Sequence, residues 1–230
     1  MSKSPVRQKK IIIAIDGPAG SGKSTLASLL ARRYNYTNIE TGAMYRALAL
    51  KALENGASLD EGAALALLAA NSKIELQPAS EGNRVLLDGK DVTQQIRRQD
   101  VTDAASKVSV HPPVREWMVE QQRQMGAGGG VVMEGRDIGT KVFPNAEVKI
   151  FLDAAPEVRS TRRFLQQPAV TTQEKSVLEE LRERDRRDRT RATSPLVAAP
   201  DAVVIDSTNL NLDEVLQKAI EVIEKKLSLY

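Results

Sequence analysis

The string Gly17-Pro-Ala-Gly-Ser-Gly22-Lys23-Ser24 has the residue types and spacing to hold a polyphosphate. Glycines let the backbone wrap closely around phosphate oxygens, which then meet amide hydrogens at the start of a helix. In the pattern G-x-x-x-x-G-K-[ST], the lysine neutralises the β- and γ-phosphates and the hydroxyl ligates Mg²⁺. The expected ATP-binding residues are therefore Gly17, Pro18, Ala19, Gly20, Ser21, Gly22, Lys23, Ser24 and Thr25. Lys23 is the expected charge stabiliser, Ser24 the expected metal ligand and Mg²⁺ the expected cofactor. Such a loop serves phosphotransferases, GTPases and regulatory ATPases alike. The N-K-x-D string by which GTPases generally read guanine does not occur.

Two further strings carry chemistry. Glu40-Thr41-Gly-Ala-Met-Tyr-Arg46 opens a helix, and Glu134-Gly-Arg136-Asp137-Ile-Gly139-Thr140 follows an apolar run. The segment Arg182 to Arg191 is a charge run. Wound as a helix, it sets Arg184, Arg187, Asp188 and Arg191 on one face. Taken alone it is most simply a solvated face with an Arg184–Asp188 pair. Its interspersed acids argue against a nucleic-acid patch.

These residues need elements to hold them. Ile11 to Ile15 is a continuous β-branched run, the pattern of a strand buried on both faces, and Val131–Met133, Val148–Leu152 and Val203–Ile205 resemble it. Helical patterns lie between. The clearest is the last, with apolar Leu212, Val215, Leu216, Ala219, Ile220, Ile223 and Leu227, Asn211 at its N-cap and Glu214 three residues on. Buried strands alternating with amphipathic helices define an α/β fold, a parallel sheet covered by helices on both faces. Ligands gather at the carboxyl ends of such strands, so the strings at Glu40–Arg46 and Glu134–Thr140 face the phosphate loop.

One stretch breaks the rhythm. Ser58-Leu-Asp-Glu61 reads as a capping box opening a helix to about Ala70. Lys73–Gln77 and Arg84–Leu87 then read as short strands, and Asp88-Gly89 as the turn after them. Residues 58–98 are thus an expected antiparallel insert. Gly126 to Gly130 is expected to be a flexible connection. His111, before two prolines, reads as a helix-boundary residue, and Trp117 as core.

Composition narrows the class. The chain has 230 residues, 41% apolar, enough for one domain with a small inserted lobe. With 33 basic and 30 acidic residues intermixed, the net charge of +3 does not mark a nucleic-acid binder. Cysteine is absent, which excludes disulfides and thiolate metal sites. No apolar run reaches the length of a membrane span, and Met1 to Lys10 is a polar, basic tail without the apolar core of a secretory signal. A cytoplasmic monomer is expected, with no membrane or nucleic-acid partner.

The phosphate loop, T-G-A-M-Y-R, G-R-D-I-G-T followed by V-F-P, and R-D-x-x-D-R-x-R resemble, in order and spacing, the bacterial cytidylate kinases. The likeness runs from about Ile11 to Leu227. It implies a P-loop nucleoside monophosphate kinase that moves the γ-phosphoryl of ATP to CMP or dCMP with Mg²⁺. It also makes the insert a monophosphate-binding lobe and residues 160–195 a helical, arginine-rich lid, all within one domain of residues 1–230. By the same resemblance Thr41 contacts the acceptor sugar, Arg46 its phosphate, and Asp188 its ribose. Ser106, Arg115 and Asp137 surround the cytosine. Arg136, Arg184 and Arg191 join Lys23 as catalytic residues around the phosphates, Arg136 and Arg191 also counting among the CMP contacts. Thr41 stands where the family commonly has serine, and Glu134 where it commonly has aspartate. Rival readings are a UMP-directed kinase and a P-loop regulator without an acceptor.

Overall fold

The computed structural model describes residues 10–79, 82–166 and 174–228. Except for Lys10, the basic tail lies outside them, as do residues 167–173 of the expected lid.

The four apolar runs form four strands, β1 (Ile12–Asp16), β6 (Val131–Gly135), β7 (Val148–Asp153) and β8 (Val203–Asp206). A further strand, β2 (Thr37–Glu40), has only Ile39 buried and so carries no apolar signature. Among the described residues these five form one parallel sheet in the order β2-β6-β1-β7-β8. Helix α1 (Lys23–Tyr34) and helix α8 (Leu212–Leu227) cover one face. Leu26, Leu30, Val215 and Ile220 pack there on Ile13, Ile15 and Ile150. Val119 of α5 (Pro112–Gly126) and the π-helical turn Ile138–Val142 cover the other, over Ala14, Ile39 and Met133. The expected capping box of α8 is present, with reciprocal bonds between Asn211 and Glu214.

A second core lies beside the sheet. Helix α2 (Thr41–Glu54) packs its buried alanines and leucines against α3 (Gly62–Ala70), α4 (Gln99–Val108) and α5. It also packs against a separate antiparallel sheet, β3 (Ile74–Pro78), β4 (Asn83–Leu87) and β5 (Lys90–Asp91). Asp88 and Gly89 both have positive φ, as the tight turn between β4 and β5 requires. Trp117 packs against this core. His111 is the N-cap residue of α5, and its Nε2 lies 2.7 Å from the Leu59 carbonyl.

Two local expectations are corrected. Ser58 accepts a hydrogen bond from the Asp60 amide, closing a tight turn, and α3 starts only at Gly62 without a side-chain cap. A Ser/Thr side chain can satisfy a turn as readily as a helix N-terminus, and here the turn wins. Gly126 belongs to α5, so the connection to β6 is shorter than expected. Among the described residues no helix is long and apolar enough to cross a membrane.

The last pieces are α6 (Pro156–Gln166) and α7 (Glu174–Thr190), which pack on each other. Val177 and Leu181 of α7 bury against Ala19 of the phosphate loop.

Candidate active site

The loop between β1 and α1 is shaped by positions that only glycine fills. A Cβ on Gly17 would lie 2.0 Å from the Leu152 carbonyl oxygen, and Gly22, at the N-cap of α1, has φ 97°. The loop stands between two cavities. One, of about 440 Å³, is lined by Gly20 to Thr25 together with Leu152, Arg162, Ser207, Leu210 and Val215. The other, of about 300 Å³, takes Gly20, Lys23 and Ser24 as one wall and residues from β2, α2, β6 and α7 as the others. Gly20, Lys23 and Ser24 thus face both spaces, one apolar enough for a base and the other crowded with cations.

Lys23 is buried, and its Nζ donates to the Pro18 carbonyl at 2.6 Å. Burial, with Arg136 and Arg184 nearby, lowers its pKa well below the usual lysine range. Glu134 is pushed the other way, raised by burial and by the neighbouring Glu40, which sits directly opposite it in the β2–β6 register. The Ser24 hydroxyl hydrogen-bonds the Glu134 carboxylate, whose Oε1 has no partner. Asp16, at the end of β1, is raised to about 6 by burial, and it accepts hydrogen bonds from the amides of Ile138 and Gly139 at 2.8 and 2.7 Å.

On the second cavity's other walls, Arg46 pairs with Glu40 at 2.5 Å and leaves its Nε buried without a partner. Thr41 donates its hydroxyl hydrogen to the Glu134 carbonyl at 2.7 Å, joining the start of α2 to β6. Arg136 Nε donates to Asp188 at 2.9 Å, and Arg191 approaches the other Asp188 oxygen at 3.5 Å. Burial works against an ionised Asp188, yet Arg136, Arg184 and Arg191 hold its carboxyl below the usual range. Arg184 is lowered to about 9 by burial and by Arg136. Arg184 Nε and Arg191 Nη2 are buried without hydrogen-bond partners.

A more deeply buried pair lines the same cleft. Arg115 Nη2 donates to Asp137 Oδ2 at 2.6 Å, Nη1 donates to the Ser109 carbonyl, and the guanidinium lies over the Tyr45 ring. Arg115 Nε and the Tyr45 hydroxyl are buried without partners. Ser106 Oγ is also buried and unpartnered, although it is the neighbouring Ala105 and Ser109 that line the cavity.

The acceptor-side residues named from sequence, apart from Ser106, therefore line one cleft together with Lys23 and Ser24. Glu40, Tyr45 and Arg163 share it and were not singled out. Glu40 and Tyr45 belong to the string that opens α2, whereas Arg163 carries no sequence signal beyond its basic neighbour. Buried guanidinium hydrogens without partners are costly unless an anion meets them. A glycine loop at a helix start, lining such a cleft at the carboxyl ends of a parallel sheet, defines a P-loop phosphotransferase rather than a protein that only senses a nucleotide.

The comparisons narrow the class. Residues 13–225 match the family model for cytidylate kinase. The chain is 49% identical to the cytidylate kinase of Geobacillus thermodenitrificans over 222 residues, 96% of this chain and 99% of that one. It is 50% identical to that of Enterococcus faecalis over 219 residues, 94% and 97% of the two chains. With that of Pasteurella multocida it shares 43% over 222 residues, 96% and 98%. The chain belongs to the cytidylate kinase family.

Proposed function

We propose that this enzyme transfers the γ-phosphoryl group of ATP to CMP or dCMP, with the donor base in the first cavity and the whole acceptor in the second. The observation that carries the reading is the cleft itself. Arg136 and Arg184 crowd around Lys23, with Arg46 close to Arg184, whereas the buried Arg115–Asp137 pair lines the same cleft with Arg191 beside it. Cations beside the phosphate loop and a separate buried ion pair suit a nucleoside monophosphate with its phosphate toward the loop.

Phosphoryl transfer asks the protein for alignment and charge neutralisation more than for covalent chemistry. Lys23 and the loop amides hold the donor phosphates. Arg46 and Arg136 hold the acceptor phosphate. Arg184 and Arg191 close the cage from the lid, where their unpartnered nitrogens meet the charge that spreads in the transition state. Asp188 reaches the ribose, Thr41 the sugar side, and Ser106, Arg115 and Asp137 the base. The acceptor is a phosphate monoester, so no general base is required.

Mg²⁺ fits the chemistry of the donor set. Ser24 Oγ and the unpartnered Glu134 Oε1 are hard oxygen donors beside Lys23, the kind that bind this ion together with substrate phosphates. Among the described residues no cluster of three or more acidic or histidine side chains could hold a metal by itself. When bound, Mg²⁺ would supply charge neutralisation for the donor phosphates. Within one domain, residues 58–98 serve as the monophosphate lobe and 160–195 as the lid, in a cytoplasmic monomer without membrane or nucleic-acid partners. A coupled ADP-release assay with CMP, dCMP, UMP, AMP and GMP tests the reading. Rapid release that requires CMP or dCMP is expected. Equal use of UMP overturns the base assignment, and ATP binding without acceptor-dependent turnover overturns the activity.

A further inference from the structure

Arg159, on α6, is buried, yet it faces none of the acceptor cleft. Each part of its guanidinium is bonded to a different element. Nε donates to the Ala154 carbonyl after β7 at 2.8 Å, and Nη1 to the Ala19 carbonyl in the phosphate loop at 3.0 Å. Nη2 donates to Asp185 of α7 at 2.6 Å. The contact with the loop is close elsewhere too, since a Cβ on Gly20 would lie 3.0 Å from the Arg159 carbonyl oxygen. Beside it, Ala19 buries against Val177 and Leu181, so α7 meets the loop through an apolar patch as well as the ion pair.

We propose that Arg159 and Asp185 are positioning residues that latch α7 onto the phosphate loop and so aim the cleft-facing side chains of that helix. This rests on the lid reading given above. The geometry follows from helix periodicity. Asp185 is turned about 100° from Arg184, so it points at Arg159 while Arg184 points into the cleft. Holding Asp185 fixes the rotation of the helix about its axis. Arg184 and Asp188, four residues apart, then share one direction, and Arg191 follows just beyond the helix end. Because Arg159 also holds the Ala19 carbonyl, a shift of the loop on binding polyphosphate is passed directly to α7. Neither residue touches the reacting atoms.

The test uses Asp185→Asn, Arg159→Lys, the double variant and Arg184→Ala in the full chain. The readouts are steady-state kinetics, thermal unfolding and hydrogen–deuterium exchange of α7 amides with a non-hydrolysable ATP analogue bound. Arg159→Lys keeps the charge and the buried stem, which guards against simple failure to fold. A slight misplacement of the lid arginines predicts kcat lower by roughly tenfold to a hundredfold. KM for ATP should move by less than about threefold, because ground-state donor binding is not what the latch supplies. Exchange in α7 should quicken, and the double variant should be no worse than the poorer single one, as for two residues acting through one bond. Parental kcat in the latch variants overturns the proposal whatever Arg184→Ala does, and so does a fall in kcat without faster α7 exchange. If the latch variants lose turnover and Arg184→Ala keeps it, the role given to Arg184 fails. The latch then acts through Asp188 and Arg191.

Discussion

Replacing Asp137 with asparagine changes one atom of the base-reading pair and leaves its shape intact. The Arg115–Asp137 bond is 2.6 Å long, and the side chains are only 3% and 7% exposed. Removing one partner of such a pair costs about 3–5 kcal/mol, because the other charge stays buried. Asparagine keeps a carbonyl oxygen for Arg115 Nη2, so the lower end applies. For a chain of this size about 3 kcal/mol lowers Tm by roughly 6–12 °C. The catalytic effect is separate. Cytosine presents an amine to the carboxylate and two acceptors to Arg115, whereas uracil presents a carbonyl and an N–H at the same places. A hydrogen bond to a charged group contributes about 1.5–3 kcal/mol, so losing it reduces kcat/KM for CMP by about 10- to 150-fold. The asparagine amide can instead donate to the uracil carbonyl, so UMP use stays level or rises. A parent ratio of CMP to UMP of about 10² or more should then shrink to within about tenfold of unity. The coupled ADP-release assay, run well below the variant's Tm with both acceptors, reads this directly. A variant that loses thermal stability but keeps the parental ratio would refute the base-reading role. The pair would then be structural only.

Lys23→Ala should lower turnover by several orders of magnitude with the fold retained, since a principal charge stabiliser at the transferring group is lost. ADP release within a few-fold of the parent would remove the loop from catalysis. Asp188→Asn should impair catalysis and change the CMP-to-dCMP balance, as measured by kcat/KM for each. Because Asp188 also holds Arg136 at 2.9 Å, both substrates should slow, and an unchanged ratio at the parental rate would exclude it from the site. Lys23 also makes ATP binding proton-linked. Burial, Arg136 and Arg184 depress its pKa, and a polyphosphate beside it reverses the shift, so binding should take up protons on the alkaline side of neutrality. Calorimetry in two buffers of different ionisation enthalpy checks this. No proton uptake, or the same uptake in Lys23→Ala, would contradict the charge environment described.

The legible part of this protein is what local pattern dictates. A β-branched run, glycines at fixed offsets and a lysine before a hydroxyl specify strand, loop and helix from neighbouring residues alone, and Ile12–Asp16, the loop and α1 follow that order. The Asn211–Glu214 capping box was equally local and equally visible. Strand β2 was not, because an edge strand with one buried side chain has no periodicity to detect. Ser58 misled because the same short-range chemistry that caps a helix also closes a turn. The run from Arg182 to Arg191 shows the limit most clearly. Its helix and its shared face could be read from spacing, but a charged face is solvated or buried only according to what packs on it. Tertiary structure brings Arg136, just after β6, to Asp188 across 52 residues of sequence, and Arg159 to Asp185 across 26. It also sets Asp16 on the amides of Ile138 and Gly139. Residue types and spacing along the chain determined which groups could meet a phosphate. Which of them are desolvated, paired or left unpartnered depends on long-range packing, because burial and charge are properties of the space around a side chain and not of its neighbours in sequence.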